Sequence, residues 1–439
     1  MARLFGTDGV RGVANGKVLN AELAYKLGRA AAQYFGREVK SPKIIIGRDP
    51  RLSGTMLEAA LAAGICSAGG NAHLLGVIPT PAVSFLTEPL GANAGVVISA
   101  SHNPFEDNGI KFFAHSGFKL PDAVEDEIEA IVNRPIDYDN TLTGSSLGRV
   151  YTEEDKSNLY VQHVVKSADC KLNGLKVVMD CANGANSEIA PMILRLLGAQ
   201  VIPIFNNPNG ININNGCGST HLEALQQKVL EEGADVGIAN DGDADRCLAV
   251  DENGQVLDGD QIMLICALDL LKRGKLKDNV LVTTVMSNVG LQKAMKEHGG
   301  STVKTGVGDR YVLEEMLKHD YKLGGEQSGH IIFGDLARTG DGMMTAVKLL
   351  SSLVRHNQTL SQLGSLMVKY PQTLLNVRVK DKNGWEENQY TEELGDDGQV
   401  LVRASGTEPL IRIMAQGPNQ AELDAITDAI AEVVRKELA

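Results

Sequence analysis

Hydrophobic and polar positions alternate along this chain in an order that predicts a repeated α/β architecture. Three segments, which begin at Lys43, Leu175 and Asn279, share one plan: a β-branched strand, a loop rich in Gly, Asp or Asn, an amphipathic helix, a glycine and a second strand. Such alternation favours βαβ units, and therefore parallel-rich sheets covered by helices, three times over. We interpret the pattern as an internal triplication; chance similarity among generic α/β units is the alternative.

The C-terminal part of the chain predicts a smaller unit of another kind. Strands are predicted near Leu374 to Val379, Gln399 to Arg403 and Leu410 to Ala415, and a helix opens near Pro418. Apolar residues then recur at helical spacing at Leu423, Ile426, Ile430, Val433, Val434 and Leu438. This order predicts a small α+β domain that closes the chain.

The length of the chain predicts several domains, because 439 residues exceed what one hydrophobic core usually supports. Polar or turn-forming sequence near Val150, Asn253 and Lys369 predicts the boundaries. We therefore expect three α/β domains with parallel-rich mixed sheets, followed by an α+β domain, at residues 1–150, 151–253, 254–368 and 369–439.

Composition and charge narrow the classes of function. Apolar residues make up 43% of the chain and charged residues 22%, as in an ordinary globular enzyme. The formal charge of -13, without a compact Lys/Arg cluster to reverse it, disfavours nucleic-acid binding. A small anionic substrate is still allowed, because a few arginines focused in one cleft can outweigh the overall charge there.

Cysteine spacing and hydropathy favour a cytoplasmic protein. The six cysteines include no C-x-x-C pair, so reduced thiols are expected. The opening MARLFGTDGVRG lacks the apolar stretch of a secretory signal. The most apolar helix-length run, Ile262 to Leu271, contains Asp269 and is far shorter than the roughly 20 residues that span a bilayer. We therefore expect no membrane partner.

The first motif that could carry chemistry is SASHNP, which follows the apolar strand that begins at Gly95. A strand that ends in small polar residues exposes their hydroxyls at its carboxyl end, so Ser101 is the candidate nucleophile or phosphate carrier. His102 is adjacent, and neighbouring side chains on extended backbone point apart, which disfavours a Ser–His proton-transfer pair. Turn capping by the hydroxyl is the alternative interpretation.

The second motif is DGDADR, which places Asp241, Asp243 and Asp245 after a predicted strand. Three carboxylates facing one point repel one another unless a cation lies between them. Oxygen-only ligation favours Mg²⁺. Calcium is the alternative metal, but the flanking sequence does not follow an EF-hand, and a solvated acidic turn is the alternative without a metal.

The third motif is GEQSGH, a tight loop that holds Glu326, Ser328 and His330 between glycines. Donors and acceptors on such a loop suit the vicinal hydroxyls of a sugar, which Glu326 could bridge. Considered alone, a glycine-rich segment of this kind is more often only a turn.

The fourth motif, RASGTEPLIR, clusters guanidinium groups, hydroxyls and free backbone N–H groups around a turn. A phosphate monoester needs such a set of donors, and the predicted role is to grip the phosphate that is not reacting. The candidate residues are Arg403, Ser405, Gly406, Thr407 and Arg412. Surface salt bridging by the arginines is the alternative.

Two further residues complete the candidate set. Arg11 lies in the glycine-framed opening GTDGVRG and could contact phosphate or phosphoserine. Lys111, ten residues beyond Ser101, could act beside it as acid or base. Each of the four motifs falls in a different predicted domain, which suggests a cleft where all four domains converge.

In this order, GTDGVRG, SASHNP, DGDADR, GEQSGH and RASGTEPLIR resemble the motifs of the α-D-phosphohexomutase superfamily, from end to end of the chain. The resemblance implies a heart-shaped molecule of four domains around a central cleft, in which three domains are alike and the fourth is small and mobile. The triplication and the distinct C-terminal unit agree with that architecture.

The resemblance also implies a role for each candidate residue. It implies that a phosphate is carried by Ser101. Mg²⁺ is implied to be held by a phosphoserine oxygen of Ser101 together with Asp241, Asp243 and Asp245. The resemblance implies that Glu326 and Ser328 contact sugar hydroxyls. The distal phosphate is implied to bind Arg403, Ser405, Gly406, Thr407 and Arg412. Further catalytic or supporting contacts are implied for Arg11, His102, Lys111, Arg246 and His330.

The activity implied by the resemblance is that of a phosphosugar mutase that works through phosphoserine and a bound 1,6-bisphosphate. The residues of three motifs are most similar to those of family members that interconvert glucosamine 6-phosphate and glucosamine 1-phosphate. That reaction lies on the route to UDP-N-acetylglucosamine and peptidoglycan precursors. Glucosamine or glucose 1,6-bisphosphate would serve as primer, and Lys111 or His330 as general base. A homodimer is expected through the resemblance alone.

Three alternatives stay open from the sequence. The same chemistry could act on glucose or mannose phosphates. A metal-dependent phosphatase that passes through phosphoserine would share Ser101 and the aspartates but would need no second phosphate clamp. A non-catalytic phosphosugar sensor would need neither the exposed serine nor the metal.

Overall fold

The computed structural model describes residues 3–6, 8–139, 141–380, 392–393, 398–404 and 410–438. Within those residues the strands form four sheets. Three are mixed sheets with parallel βαβ pairs, and the fourth is antiparallel and packs against one long helix. The predicted class, three α/β domains followed by an α+β domain, is confirmed.

The first domain is built on a sheet with the strand order β1-β5-β4-β2-β3-β6. Its elements are β1 (Val10–Val13), α1 (Ala21–Phe35), β2 (Lys43–Arg48), α2 (Leu52–Ser67), β3 (Asn71–Val77), α3 (Thr80–Thr87), β4 (Ala94–Ile98), β5 (Asp107–Ala114), α4 (Asp122–Val132) and β6 (Val150–Thr152). Strand β4 is buried along its whole length, as expected of a parallel strand covered on both faces. Because β6 pairs with β3, this sheet extends beyond residue 150.

The second domain has the strand order β11-β10-β9-β7-β8. Its elements are α5 (Ser157–Ser167), β7 (Lys176–Asp180), α6 (Ile189–Leu196), β8 (Gln200–Ile204), α7 (Glu223–Glu232), β9 (Val236–Asn240), β10 (Cys247–Asp251) and β11 (Val256–Leu257). Strands β9 and β10 are buried throughout, so the polar residues that connect them emerge directly from the core.

The third domain has the strand order β13-β12-β14-β15. Its elements are α8 (Gly259–Lys272), β12 (Val280–Thr284), α9 (Val289–Glu297), β13 (Ser301–Thr305), α10 (Asp309–His319), β14 (Leu323–Gly325), β15 (Ile331–Phe333), α11 (Gly342–His356) and α12 (Leu360–Gly364). Helix α8 begins with a capping box between Asp258 and Gln261, which satisfies backbone N–H groups of its first turn.

The three α/β domains share one strand topology. In each domain, a helix links two parallel strands, and a third strand pairs in parallel with the first of them on its other side. A fourth strand then forms an antiparallel hairpin with the third strand. The hairpin connections therefore occupy equivalent positions. We name them the serine loop (99–106), the aspartate loop (241–246) and the glutamate loop (326–330). This shared topology agrees with the predicted triplication.

The fourth domain has the antiparallel order β16-β19-β18-β17. Its elements are β16 (Gln372–Arg378), β17 (Glu392–Glu393), β18 (Gln399–Ala404), β19 (Leu410–Gln416) and α13 (Gln420–Leu438). Apolar residues of α13, among them Leu423 and Val434, pack with Val402 and Ile413 of the sheet. The strands and the helix predicted from this part of the sequence are confirmed.

Apolar burial joins the first three domains more closely than the fourth. One hydrophobic cluster includes Ile45 of β2, Met179 of β7 and Leu281 of β12, whereas the fourth domain has its own cluster. The first three domains thus share a core, and their equivalent loops hold fixed relative positions. In the part of the chain that the structure describes, no helix is long and apolar enough to cross a membrane.

Candidate active site

A cleft of about 570 Å³ lies where the three equivalent loops meet the β18–β19 hairpin. Its walls include Ser101 from the first domain, Asp245 from the second, His330 from the third and Arg412 from the fourth. Further predicted site residues on these walls are Arg11, Arg246, Glu326 and Arg403. Four motifs that lie far apart in the sequence therefore meet at one place.

Ser101 lies at the turn that follows β4 and is only 2% exposed. Its backbone has a φ of +53°, in the left-handed region, and its N–H donates to the hydroxyl of Ser99 at 3.0 Å. The Ser101 hydroxyl donates to Oδ2 of Asp241 at 2.5 Å. The turn therefore presents Oγ to the aspartate loop of the second domain.

The Ser101 hydroxyl also lies 3.2 Å from Nδ1 of His102. The expectation that these neighbouring side chains point apart is therefore wrong, because it assumed an extended backbone and the backbone at Ser101 is left-handed. Burial, and then the charges of Arg246 and Arg11, lower the pKa of His102 to about 4. The ring is therefore neutral near pH 7.

Arg51 holds the main chain of the serine loop in shape, although the sequence did not single it out. Its side chain is fully buried and its Nε lies 2.8 Å from Oδ2 of Asp49. The guanidinium donates to the backbone carbonyls of Ser101 (2.9 Å), Asn103 (2.9 Å), Pro104 and Asp107 (3.1 Å). The polar run GRDPRLSG at the carboxyl end of β2 was the signal that could have identified it.

Asn214 of the second domain supports the same turn from the other side. Its amide donates to the carbonyls of Ser101 at 2.8 Å and of Asn103 at 3.0 Å. The sequence gives no sign of this role, because Asn214 lies in one polar loop among many and its partners are main-chain atoms.

The three aspartates of the aspartate loop form a buried cluster. Asp241, Asp243 and Asp245 are 1%, 1% and 7% exposed, and one carboxylate oxygen of each lies within 4.8 Å of the others. Burial and the two neighbouring carboxylates raise the pKa of Asp241 well above its usual value. Among the described residues, Oδ1 of Asp243 and of Asp245 has no hydrogen-bond partner. Crowded carboxylates with open oxygens beside a hydroxyl fit a divalent cation such as Mg²⁺.

Lys111 lies between two carboxylates. Its Nζ is 2.9 Å from Oδ2 of Asp243 and 3.0 Å from Oδ2 of Asp8, and Thr80 donates to the same oxygen of Asp243 at 2.7 Å. Burial alone lowers the pKa of this amine, but Asp243 and Asp8 raise it above its usual value. The ammonium form is therefore favoured, and Lys111 offsets the charge of the aspartate cluster.

Lys119 and Asp309 connect the first and third domains across the cleft, and the sequence did not single out either residue. Nζ of Lys119 lies 2.7 Å from Oδ1 of Asp8 and 2.6 Å from Oδ2 of Asp309. Asp309 opens α10 after the glycine-framed segment GVGDR, and this pattern could have identified it as it did the other loops. Through Lys119, Asp8 near the start of the first domain is therefore linked to Asp309 of the third domain.

His330 is buried beside two carboxylates. Nδ1 lies 3.5 Å from Oδ2 of Asp245, and Nε2 lies 3.4 Å from Oδ2 of Asp309. Burial alone lowers the pKa of the ring, but Asp245 and then Asp309 raise it to about 9. The N–H of Gly340 lies 3.0 Å from Nε2 and can donate to it only when the ring is neutral, with its one proton on Nδ1, towards Asp245.

Two arginines bring positive charge to the cleft. Arg11 pairs with Asp8, and the Nε of Arg246 lies 4.0 Å from Oδ1 of Asp245. In the described part of the chain, the Nε atoms of Arg11 and Arg246 are buried and have no hydrogen-bond partner. Both groups can donate to an anionic oxygen, which suits a phosphate.

The glutamate loop is a tight turn tied to the aspartate loop. The N–H of Glu326 donates to the carbonyl of His330 at 3.0 Å, and the N–H of Cys247 donates to the carbonyl of Gly329 at 3.0 Å. Burial raises the pKa of Glu326. The hydroxyl of Ser328 is buried without a partner among the described residues, so acceptors and donors for sugar hydroxyls are available here.

The fourth domain brings two arginines to the cleft. Arg403 of β18 and Arg412 of β19 are direct cross-strand neighbours, so both guanidinium groups come from one end of the hairpin. The predicted residues Ser405, Gly406 and Thr407 lie outside the described residues.

Comparison with known families gives matches along almost the whole chain. The matching families are phosphoglucomutase/phosphomannomutase alpha/beta/alpha domain I at residues 2–139, domain II at 158–254, domain III at 258–370 and the C-terminal domain at 374–433.

Several phosphoglucosamine mutases are similar to this chain over its full length. That of Symbiobacterium thermophilum is 56% identical, and the alignment covers 100% of both chains. That of Desulforamulus reducens is 54% identical and covers 99% of both chains.

Solved structures agree in fold. A phosphoglucomutase/phosphomannomutase family protein from Burkholderia thailandensis has a TM-score of 0.82 at 26% identity, covering 99% of this chain and 97% of its own. The N-acetylphosphoglucosamine mutase of Aspergillus fumigatus, solved with GlcNAc-6P and magnesium, has a TM-score of 0.70 at 17% identity, covering 99% and 96%.

Proposed function

Because this chain belongs to the phosphoglucomutase/phosphomannomutase family, we propose that it catalyses the phosphoglucosamine mutase reaction, the interconversion of glucosamine 6-phosphate and glucosamine 1-phosphate. Phosphoglucosamine mutases share more than half of its residues over the full length. That identity favours glucosamine phosphates over glucose or mannose phosphates as substrates. The reaction would feed synthesis of UDP-N-acetylglucosamine.

One observation carries the proposal: a phosphoryl carrier and a separate phosphate grip face the same cleft. The Ser101 hydroxyl lies 2.5 Å from Asp241 on one side, and Arg403 and Arg412 lie on another wall. A phosphatase needs the first feature alone, because it releases inorganic phosphate. A mutase needs both, because it must hold one phosphate while it transfers the other.

In the proposed reaction, phosphorylated Ser101 donates its phosphoryl group to the free hydroxyl of the sugar phosphate. The bond between Oγ and phosphorus breaks, the sugar oxygen forms a new bond to phosphorus, and the proton of the sugar hydroxyl passes to Oγ by way of a base. The product is a 1,6-bisphosphate. It turns over in the cleft, and Ser101 takes back the other phosphoryl group. Lys111 or His330, each of which favours its protonated form, would give its own proton to Oγ as that bond breaks and then take up the proton of the sugar hydroxyl.

Four groups would hold the metal ion: Asp241, Asp243, Asp245 and a phosphoserine oxygen at Ser101. The oxygens of Asp243 and Asp245 that have no partner among the described residues support this set. When bound, Mg²⁺ neutralises charge on the transferring group. Arg11 would add a contact to the same phosphate, supported by Arg246.

The remaining residues would bind the ends of the substrate that do not react. Glu326 and Ser328 would contact sugar hydroxyls, and Arg403 and Arg412 the distal phosphate, together with Ser405, Gly406 and Thr407. The bisphosphate must bind in two orientations. Glu326 would therefore contact sugar hydroxyls that exchange places when the bisphosphate turns over. A cytoplasmic location, a homodimer and the lack of nucleic-acid or membrane partners stay predictions from the sequence.

A substrate panel tests the function directly. The protein, with Mg²⁺ and a trace of glucose 1,6-bisphosphate, is given glucosamine, glucose or mannose 6-phosphate, and the products are followed by phosphorus NMR. We expect glucosamine 1-phosphate to form fastest. Faster conversion of glucose or mannose phosphate would assign the substrate differently, and release of inorganic phosphate alone would indicate a phosphatase.

Ser101→Ala tests the carrier. We expect turnover to fall by at least about a thousandfold, because the nucleophile is lost. Intact-mass measurement should show a phosphate adduct on the wild type after incubation with the bisphosphate and none on the variant. Ser352→Ala is the control, since Ser352 is equally buried but its hydroxyl donates to the carbonyl of Lys348 within α11. Normal turnover of Ser101→Ala would falsify the assignment.

A further inference from the structure

Three glutamines stand side by side at one end of the fourth sheet. Gln416, the last residue of β19, is the cross-strand neighbour both of Gln372, the first residue of β16, and of Gln399, the first residue of β18. We name these three residues the glutamine row. Gln416 is fully buried and Gln399 is 6% exposed, so their amides need partners inside the protein.

The partners belong to the connection between β12 and α9 in the third domain. Three consecutive carbonyls of this connection each accept from a different glutamine of the row. The contacts run from Gln399 to Val285 (3.3 Å), from Gln372 to Met286 (3.3 Å) and from Gln416 to Ser287 (3.1 Å). The side-chain carbonyl of Gln416 also accepts from the N–H of Val289 at 3.0 Å. The row thus seats the fourth domain on one segment of main chain.

That segment of main chain is itself held from its other side. Asp260 accepts from the N–H of Asn288 at 2.7 Å. The side chain of Asn288 in turn pairs with both backbone groups of Tyr370, donating to its carbonyl at 2.9 Å and accepting from its N–H at 3.0 Å. Tyr370 lies in the linker that leads into β16, so the linker and the row are fixed to the same few residues.

The strands that carry the row also carry the arginines of the cleft. Arg403 and Arg412 face each other across β18 and β19, four residues from Gln399 and Gln416. Four residues of extended strand span roughly 13 Å. A small tilt of the sheet at the row therefore displaces the guanidinium groups at the far end of the same strands. The row also reaches the glutamate loop, because the amide of Gln327 lies 3.5 Å from Oε1 of Gln372.

From this geometry we propose that Gln399 and Gln416 are positioning residues, which fix the distance between the arginines of the fourth domain and the serine loop. The inference rests on the proposed function, since it assumes that Arg403 and Arg412 grip the substrate phosphate. Both glutamines donate from neutral amides to main-chain carbonyls, and the side-chain carbonyl of Gln399 also accepts from Nζ of Lys304 in β13 at 3.0 Å. Neither glutamine carries a charge, so the contribution of each is geometric.

Gln416→Ala is the first test variant, and Gln399→Ala, which removes one contact to the connection instead of two, is the second. We expect KM for glucosamine 6-phosphate to rise about tenfold, as when a buried hydrogen bond is lost, while kcat stays within about twofold because Ser101 and the aspartates are untouched. In Ser101→Ala proteins, the Kd for glucosamine 6-phosphate, measured by calorimetry, should rise by the same factor.

The matched control is Gln226→Ala. Gln226 donates from a helix of the second domain to the carbonyl of Gly254 at 2.7 Å, so this substitution removes the same kind of bond away from the fourth domain. It should leave KM unchanged even where the thermal midpoint falls as far as in Gln416→Ala. An equal rise of KM in the control would overturn the proposal.

A double-mutant cycle separates positioning from general stability. If Gln416 acts through the arginines, Gln416→Ala should raise KM by less than about twofold in an Arg412→Ala background. Full additivity, or a wild-type KM in both glutamine variants, would overturn the inference and leave the mutase function standing. If the wild-type protein neither converts nor binds glucosamine 6-phosphate, the function itself fails and the inference fails with it.

Discussion

At the scale of single residues, the site depends on side chains that shape the main chain as much as on those that face the cleft. A left-handed backbone at a residue other than glycine costs about 1–2 kcal/mol. At Ser101 the hydrogen bonds from Arg51 and Asn214 to the serine carbonyl offset this cost. The hydroxyl is thereby held towards Asp241 before any substrate binds.

Arg51→Ala tests this support. The variant leaves the Asp49 carboxylate and several carbonyls buried without their partner, so the free energy of unfolding should fall by about 3–5 kcal/mol. Urea unfolding measures the loss. Arg37→Ala is the control, because its ion pair with Glu127 is half exposed and should contribute less than about 1 kcal/mol. Equal losses in the two variants would contradict the role of Arg51.

Residue patterns predicted the groups that stand out chemically and missed those that act on the backbone. Ser101 and the three aspartates could be selected because a hydroxyl or carboxylates at the end of an apolar strand are unusual. Arg51 and Asn214 were not selected, because their partners are main-chain carbonyls, which leave no trace in the sequence. The polar run after β2 offered a signal for Arg51, and nothing comparable marked Asn214. The side chains of Ser101 and His102 were wrongly predicted to point apart, because the sign of φ at Ser101 cannot be derived from the residue type.

At the scale of elements, the serine and aspartate loops are packed main chain against main chain. A Cβ at Gly242 would lie 2.7 Å from the carbonyl oxygen of Ser101 and 2.7 Å from Cδ1 of Ile213. Gly242→Ala should therefore displace the serine turn and lower kcat by about ten- to a hundredfold, with circular dichroism unchanged. Gly12→Ala is the control, since the nearest atom to its Cβ lies at 3.7 Å. An unchanged kcat in Gly242→Ala would show that the two loops can move apart without loss of activity.

The start of α8 should make stability depend on pH. Burial, and then the charge of Asp258, raise the pKa of Asp260 to about 7 from an ordinary value of 3.8. The folded protein therefore binds a proton that the unfolded chain releases. This contribution to stability is complete below about pH 4 and is lost as the pH rises through about 7.

Asp260→Asn should flatten that dependence. The amide keeps an acceptor for the N–H of Asn288 and carries no charge, so the thermal midpoint should decline less between pH 5 and pH 8 than in the wild type. Circular dichroism melts at several pH values measure this. Asp428→Asn, which changes an exposed residue of α13, should keep the wild-type slope. Parallel slopes for wild type and Asp260→Asn would count against the raised pKa.

Element patterns were informative where the elements are long. The three βαβ units could be predicted because each joins an apolar strand to a helix of two or more turns. The three-residue strands β14 and β15 could not, since so short a segment shows no period. The equivalence of the three functional loops emerged only with the hairpin pairing that these strands complete.

At the scale of the whole molecule, folding forces like charges together, and a cation should therefore stabilise the fold. Mg²⁺ bound between Asp241, Asp243 and Asp245 relieves their repulsion, so the thermal midpoint should rise with Mg²⁺ concentration and fall on addition of EDTA. Asp243→Asn should reduce the rise, whereas Asp428→Asn should not. A wild-type thermal midpoint that does not change with Mg²⁺ concentration would contradict the proposed metal site.

The order of domains could be predicted because five motifs occur in sequence along the chain, and the four family domains match the chain in the same order. The proposed activity depends on the same motifs. The seating of the fourth domain could not be predicted. Gln399 and Gln416 look like ordinary polar residues at strand ends, and their partners are carbonyls more than a hundred residues away.

The serine, aspartate and glutamate loops are the same connection in three copies of one topology. Each lies outside the strands that it joins, so its residues take no part in the strand pairing of the three sheets. One ancestral turn, multiplied and brought to a common centre, could then be given over in one copy to carrying phosphate, in another to gathering acidic oxygens and in the third to meeting hydroxyls. Three separate functions at one centre are what specialisation among duplicated turns, rather than the elaboration of a single loop, would produce.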